Sequence, residues 1–443
     1  MTVAQTLGAY GASLQHQTLS DEVLHHAKRA LVDWYAAWIA GSVCAPPTLL
    51  EAALAEDLDH GNAWLASGRA ATSRSAALIN GTAAHTVEVD DIYREAIYHP
   101  GAPTIAAAHA QVASLGGSGL DLLRAIVAGY EISTRIGAAL GRAHYRYWHN
   151  TGTVGTFGAA AAAASALKLS DQAFAHALCT AATMAAGLQQ AFRMDSMSKP
   201  LHAGHAAQAG LLAAQGAAVG VTGSLDVIDG EDGLGRAMGN GPDWAAAVST
   251  LGQDFHITQM TFKNHACCGH TFAPIDAALA LQRRTGLDAK QVQSLQVETY
   301  APALAVAGNP HPQTAAEARF SLPYVTAHAW IYGSVRLAAF TPERLQDPRV
   351  RELMRRITLN VDPQLDAAFP GQRSARIRIQ TLQGETHEWF QPTRKGDPDA
   401  PLSDQDLSDK FIELAAPVWG QASAQRLLQT LWTMERRPHL DKP

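Results

Sequence analysis

Charge is scarce in this chain. Asp, Glu, Lys and Arg make up 17% of its 443 residues, and 34 basic side chains fall short of 40 acidic ones. A formal net charge of −6 and a pI near 6.3 provide no footprint for nucleic acid or an acidic membrane surface. Cysteine is scarcer still, and four in such a length do not make a disulfide framework. Apolar runs such as Phe157 to Leu167 are alanine-rich and too short to span a bilayer. The first ten residues carry neither a basic region nor an apolar core, so a cytoplasmic protein is expected, with no nucleic-acid or membrane partner. What is present is a 47% hydrophobic content with dispersed charge, the mark of a folded globular chain. At this length two domains are expected.

The densest chemistry lies in residues 85–101, His-Thr-Val-Glu-Val-Asp-Asp-Ile-Tyr-Arg-Glu-Ala-Ile-Tyr-His-Pro-Gly. Between His85 and His99, three carboxylates (Glu88, Asp90, Asp91) are clustered within four positions, ahead of Glu95. On a helix, His85 and Glu88 would share a face, with Ile92 one turn beyond. Pro100 biases His99 out of the α region, and Gly101 permits a turn. A helix entering a rigid loop can hold a histidine against acidic partners, which orients it and sets its pKa. The alternative is a solvated acidic helix end followed by a turn.

The chain has two textures. From about residue 18 to about 250 it reads as helices with Gly, Pro and Ser punctuation. Thr18 to Asp21 has capping-box spacing ahead of a helix that closes near Gly41. Leu120 to Leu140 and Gly204 to Val219 are also helical, the second apolar on most sides. After about residue 290 the period changes to two, in Ser294–Tyr300, Ile357–Val361 and Ala375–Gln380, with Thr386–Phe390 closing a hairpin. A polar stretch from Arg394 to Pro401 ends this segment, and Ser403 to Asp406 starts a final helical region. The expected fold class is therefore mainly α with a smaller α+β domain.

Only eight lysines occur, and two stand in unusual surroundings. Lys199 precedes Pro200 and a glycine-bearing helix start, as an extended residue. Lys263 lies in Phe262-Lys-Asn-His-Ala-Cys-Cys-Gly-His270, where the texture changes. A lysine on a constrained loop near a helix N-terminus suits a carboxylate or phosphate. Cys267 and Cys268 with His265 and His270 lack the Cys-x-x-Cys spacing of common zinc sites, so no metal is expected. The glycine-rich Asp229–Gly235 follows no clear strand, which argues against a nucleotide loop.

Taken together, Glu88-Val-Asp-Asp91, His99-Pro-Gly101, Lys199-Pro-Leu-His-Ala-Gly204, Lys263-Asn-His-Ala-Cys-Cys268 and Phe320-Ser-Leu-Pro-Tyr324 resemble the MmgE/PrpD family over nearly the whole chain. That family includes 2-methylcitrate dehydratase, cis-aconitate decarboxylase and iminodisuccinate epimerase. The resemblance implies an all-helical body from residues 1–261 and 403–443, with an α+β lid domain at 262–402. It also implies a homodimer, an active site in the cleft between the domains, and no metal or organic cofactor. Position by position, it marks His99 and His149 as acid/base candidates, Lys199 and Lys263 as cleft lysines and Tyr324 as a lid tyrosine. His202 would line the cleft beside Lys199.

Three positions depart from the dehydratase and decarboxylase branches. Glu88 and Ile92 stand where those carry Asp and Thr, and Cys268 stands where the decarboxylase carries a histidine. One extra residue also separates Asp91 from His99. Buried polar partners discriminate strongly between substrates, so weak activity on cis-aconitate is expected. The chemistry implied is acid/base catalysis α to a carboxylate of a small di- or tricarboxylic acid. His99 would shuttle the proton, with Glu88 or Asp91 fixing its tautomer, while lysines and protonated histidine supply positive charge. A lyase (dehydration or decarboxylation) is favoured; an epimerase or a non-catalytic carboxylate binder is the alternative.

Overall fold

A computed structural model describes residues 1–192 and 196–442, which divide into two compact units, 1–261 with 403–442 and 262–402. The first unit is built from α1 (Val3–Ser13), α2 (Asp21–Ser42), α3 (Ser73–Thr86), α4 (Gly101–Leu115), α5 (Gly119–Tyr145), α6 (Asn150–Ala166), α7 (Asp171–Met184) and α8 (Ser198–Ala218). Side-chain oxygens set most of the starts. Ser20, Thr72, Ser118 and Ser170 each accept a backbone N–H of the first turn, satisfying one otherwise unpaired donor. The cap of α2 is thus Ser20 rather than Thr18. The helix expected from Leu120 runs from Gly119 to Tyr145 and breaks at Gly141, whose φ is 60°.

Helix α6 has every residue buried, and its run of six alanines, Ala159 to Ala164, lets neighbours approach on all sides. Opposite it, a Cβ on Gly210 of α8 would lie 2.4 Å from the Thr156 carbonyl oxygen, so only glycine allows this approach. Helix α8 begins at Ser198, six residues before the expected Gly204. Lys199 is therefore within a helix's first turn and not on an extended loop. A short hairpin, β1 (Leu58–Trp64) with β2 (Ala70–Ala71), interrupts the helical texture and carries no clear period-two signal.

The second unit holds α9 (Phe272–Thr285), α10 (Leu322–Tyr332) and a four-stranded sheet. Its strands are β3 (Val292–Thr299), β4 (Ile357–Val361), β5 (Ala375–Thr381) and β6 (Thr386–Gln391), in the order β4-β3-β5-β6. β3 pairs parallel with β4 (Leu295 opposite Ile357) and antiparallel with β5 (Leu295 opposite Ile379). In β5, Ala375, Ile377, Ile379 and Thr381 are buried and the residues between them are not, the alternation of a half-covered sheet. Within the polar stretch after β6 lies a buried ion pair: Arg394 Nη2 is 2.7 Å from Asp397 Oδ1, and both side chains are almost wholly buried.

The chain then returns to the first unit with α11 (Asp404–Trp419) and α12 (Gln421–Trp432), the former opened by a Ser403/Asp406 capping box. Leu407, Phe411 and Leu414 bury the inner stripe of α11. Among the described residues no helix is long and apolar enough to cross a membrane.

Candidate active site

The acidic motif lies in the first unit, in the segment between α3 and α4. His85 is in the last turn of α3, but the helix ends at Thr86, so Glu88 does not share its face as the spacing suggested. Glu88 has φ 59°, a left-handed conformation that costs a non-glycine residue of order 1 kcal/mol. Ile97, a β-branched residue with φ 49°, is strained in the same sense. Between them, Tyr93 and Tyr98 exchange backbone hydrogen bonds of 2.7 and 3.2 Å, closing a small hairpin that delivers His99. Strain at both ends is held by the surrounding packing.

This turn sends successive carboxylates in different directions. Glu88 forms an ion pair with Lys199. Asp90 Oδ2 accepts from His85 Nδ1 at 2.7 Å and lies 3.3 Å from His99 Nδ1. Asp91 accepts from the Gly101 N–H at 2.9 Å and from the Tyr130 hydroxyl at 2.6 Å. The carboxylate beside His99 is thus Asp90, and neither Glu88 nor Asp91 takes that place. Pro100 and Gly101 start a helix instead of making a turn. A Cβ on residue 101 would meet Asp91 Oδ1 at 2.8 Å and the Tyr130 oxygen at 2.9 Å, so glycine is what lets Asp91 reach the N-terminus of α4. Ile92 is buried, and its backbone pairs with Thr261 at 2.8 and 2.9 Å.

Electrostatics separate the two adjacent aspartates. Burial alone would raise Asp90, but His85 and His99 outweigh it and hold its carboxyl well below the usual range. Asp91 is pushed up to about 8 by burial and by Asp33, which outweigh the hydrogen bonds from Tyr130 and Gly101. At neutral pH Asp90 is the anion and Asp91 mostly carries a proton.

His149 caps α6 without a side-chain bond, and its N–H donates to the Gly187 carbonyl at 2.9 Å. Its ring stacks on His85 with centroids 5.5 Å apart, while His85 meets the His99 ring edge-on at 4.9 Å. His149 Nδ1 lies 3.1 Å from His202 Nδ1, so one nitrogen donates and the other accepts. Burial, then the neighbouring histidines and Lys199, pulls His149 well below its ordinary value, and burial brings His202 down to about 4. Neither supplies the positive charge expected of a protonated histidine at neutral pH. The His99 side chain is 14% exposed and that of Lys199 18%, whereas Asp90, His85 and His149 lie behind them.

Among the described residues, His85, Asp90 and His99 also form a group with ligand atoms within 4.8 Å of one another. The 2.7 Å separation of His85 Nδ1 and Asp90 Oδ2 is that of a hydrogen bond, and it is shorter than the span between tetrahedral ligands about 2 Å from an ion. The alternative cluster at Cys267 and Cys268 does not converge. His265 bonds Asp276 at 2.9 Å, His270 bonds Tyr300 at 3.0 Å, and Cys267 Sγ lies 3.1 Å from the Thr271 hydroxyl.

The remaining candidates belong to the second unit. Lys263 and Cys268 are buried there, and the Cys268 N–H donates to the Arg319 carbonyl at 3.0 Å. Tyr324 is fully buried in α10, its hydroxyl donating to the Ala339 carbonyl and its pKa raised by burial. In this arrangement that tyrosine is part of the packing of its own unit. Sequence reasoning assigned no catalytic role to Asp90 or His85, although both lie within the 85–101 stretch it singled out. It missed Tyr130 and Lys410 altogether, since neither carries a local signal.

A helical unit that presents an acidic segment to a set of histidines, followed by a sheet-bearing unit, defines the class: the chain belongs to the MmgE/PrpD family. Residues 5–247 match the MmgE/PrpD N-terminal domain and residues 265–435 the C-terminal domain. Among its relatives is the cis-aconitate decarboxylase-like protein oryM of Aspergillus oryzae, 30% identical across 95% of this chain and 92% of that protein. The cis-aconitate decarboxylase of Homo sapiens is 29% identical across 81% and 76%. That of Aspergillus terreus is 25% identical across 96% and 92%.

Proposed function

We propose that this protein is a lyase that acts on a small di- or tricarboxylic acid by acid/base chemistry at a carbon α to a carboxylate. Decarboxylation is the outcome that its relatives' names favour. One observation carries the reading: a partly exposed His99 backed by a buried anionic Asp90, which His85 shares, with Lys199 in the same cluster as a neighbour of His149. His99 Nδ1 faces Asp90 at 3.3 Å, so Nε2 is the nitrogen that gives or takes a proton. Loss of CO₂ leaves an electron pair on carbon, delocalised into the neighbouring carboxylate. Protonated His99 delivers a proton to that carbon, and Asp90 stabilises the imidazolium beforehand. Lys199, shared between Glu88 and an incoming carboxylate, offsets the charge of the substrate. His149, neutral and buried, serves as a base or hydrogen-bond partner and not as a cation.

A second reading keeps the site and changes the acid. Ile92 has no hydroxyl to offer a carboxylate, and Glu88 reaches Lys199 with a longer arm than Asp would. These two residues depart from the dehydratase and the decarboxylase patterns alike, and so favour epimerisation of an iminodisuccinate-like acid. The test is incubation in D₂O with citrate, 2-methylcitrate, cis-aconitate and iminodisuccinate, followed by NMR. A new alkene or a decarboxylated product supports a lyase. Exchange of one α-hydrogen with an unchanged carbon skeleton identifies an epimerase. His99→Ala is expected to lower the rate about 10²–10⁴-fold with the fold intact. Carboxylate binding without any turnover would identify a non-catalytic binder.

A further inference from the structure

The site depends on a residue more than three hundred positions away from the motif. Lys410 of α11 has a side chain only 3% exposed, and its Nζ donates to Asp33 Oδ1 of α2 and to the Val89 carbonyl, each at 2.6 Å. Val89 stands between Glu88, which faces Lys199, and Asp90, which faces His85 and His99. A charge-assisted bond to that carbonyl fixes the peptide plane joining residues 89 and 90, and with it the direction in which the Asp90 side chain leaves the backbone. The preceding residue, Glu88, is in the left-handed region, so this loop has no regular ladder to hold it.

A buried ion pair is a poor way to gain stability. Desolvating both charges costs several kcal/mol, and an apolar pair of similar volume is often as stable. Helix α11 already has Leu407, Phe411 and Leu414 to seal it against the first unit, and Arg29 pairs with Asp404 at its start. What Lys410 adds is direction. Asp33, the other end of the pair, also acts on Asp91, whose carboxyl caps α4 just beyond His99. The segment 89–101 is thereby held by Lys410 at Val89, by Thr261 at Ile92 and by Asp91 and Tyr130 at Gly101.

We propose that Lys410 is a positioning residue for the reaction: it locks the Val89–Asp90 peptide so that Asp90 stays between the His85 and His99 rings. This rests on the acid/base reading of His99 above. Among the described residues, the charged and titratable groups gathered around Asp90 and His99 include His85 of α3, Asp91 and Glu88 of the segment itself, His149 of α6 and, beyond His149, Lys199 and His202 of α8. Asp33 of α2 and Tyr130 of α5 stand behind Asp91.

The test compares wild type, Lys410→Met and the charge-balanced Asp33→Asn/Lys410→Met, with turnover taken per folded molecule on whichever acid of the panel reacts. The expected result for both variants is a kcat lowered about 10–100-fold, KM within about threefold and a displaced pH–rate profile. A merely structural role would lower the melting temperature and the folded fraction while leaving kcat per folded molecule and the profile unchanged. The His99 ring is also titrated by NMR, assigned by difference against His99→Gln, and its midpoint should move in both variants. That measurement needs no substrate, so it still tests the positioning if the reaction class is wrong. Lys410→Arg keeps the charge beside Asp33 and takes the same readouts if the methionine variants fail to fold. A folded variant with wild-type kcat, pH profile and His99 titration would overturn the proposal.

Discussion

Replacing Asp90 by Asn removes one negative charge from the back of the site and changes little in volume. Coulomb attraction between Asp90 and a His99 ring that gains a proton 3.3 Å away amounts to roughly 5 kcal/mol at an effective dielectric near 20. A barrier change of about 1.4 kcal/mol is a tenfold change in rate, so half of that attraction expressed in the transition state is worth about 10²-fold, and most of it up to about 10⁴-fold. The amide also puts an N–H₂ where Asp90 Oδ1 now lies, buried and without a hydrogen-bond partner. Asp90→Asn is therefore expected to lower kcat about 10²–10⁴-fold at pH 7 with KM little changed. Asp91→Asn is the control. Asp91 is pushed up to about 8, so it mostly carries a proton at pH 7, and its conversion to an amide removes little charge. Less than about a tenfold loss is expected there. The assay is initial-rate kinetics on the reactive acid, with circular dichroism to confirm the fold. A folded Asp90→Asn protein within threefold of wild type, or a larger loss in Asp91→Asn, would refute the assignment of Asp90 as the carboxylate that serves His99.

Citrate-like di- and tricarboxylates should raise the melting temperature, and Lys199→Ala should abolish most of that gain while Lys168→Ala should not. Lys168 is 67% exposed and Lys199 only 18%, and equal effects from the two would reject Lys199 as a ligand. Gly101→Ala should destabilise the protein by about 1–3 kcal/mol and slow turnover, because the new methyl meets Asp91 and Tyr130. An unchanged denaturation midpoint would contradict the close approach. Stability should peak near pH 6.5. Burial holds His109, His202, His256 and His328 down at about 4, so the unfolded chain binds more protons between about pH 4 and 6.5 and stability falls on acidification. Burial raises Asp91 to about 8 and Glu131 to about 7, so the folded chain holds those protons and stability falls again as pH rises towards 8. Melting temperatures that climb steadily from pH 6.5 to 8.5 would go against this balance.

Much of the architecture is local in origin and was legible as such. The period-two stretches at Ile357–Val361, Ala375–Gln380 and Thr386–Phe390 are strands, because alternation specifies a half-buried sheet before any tertiary contact exists. The long Ala- and Leu-rich stretches are helices for the corresponding reason, and side-chain caps such as Ser403 mark where they begin. Membership of the family followed from five short segments in order, each carrying residue types that its chemistry needs.

Which carboxylate serves which partner was a different matter. Glu88, Asp90 and Asp91 are three acids within four positions, and the sequence reading left Glu88 or Asp91 as the partner of His99. Only the left-handed turn at Glu88 and the missing Cβ at Gly101 send Asp90 to the histidines and Asp91 to the start of α4. The charge states were equally hidden, since a pKa is set by burial and by neighbours from other helices: His149 is neutral because it is buried and because His85, Lys199 and His202 surround it. Lys410 shows the limit most clearly. In sequence it is an ordinary lysine on an amphipathic helix, and it becomes part of the site only when α11 packs against α2 and brings its ammonium to the Val89 carbonyl. Sequence determined the elements and the residue types available for chemistry. The packing of distant segments decided which of those groups meet and which carry charge, because both depend on distances and on exclusion of water that no local pattern encodes.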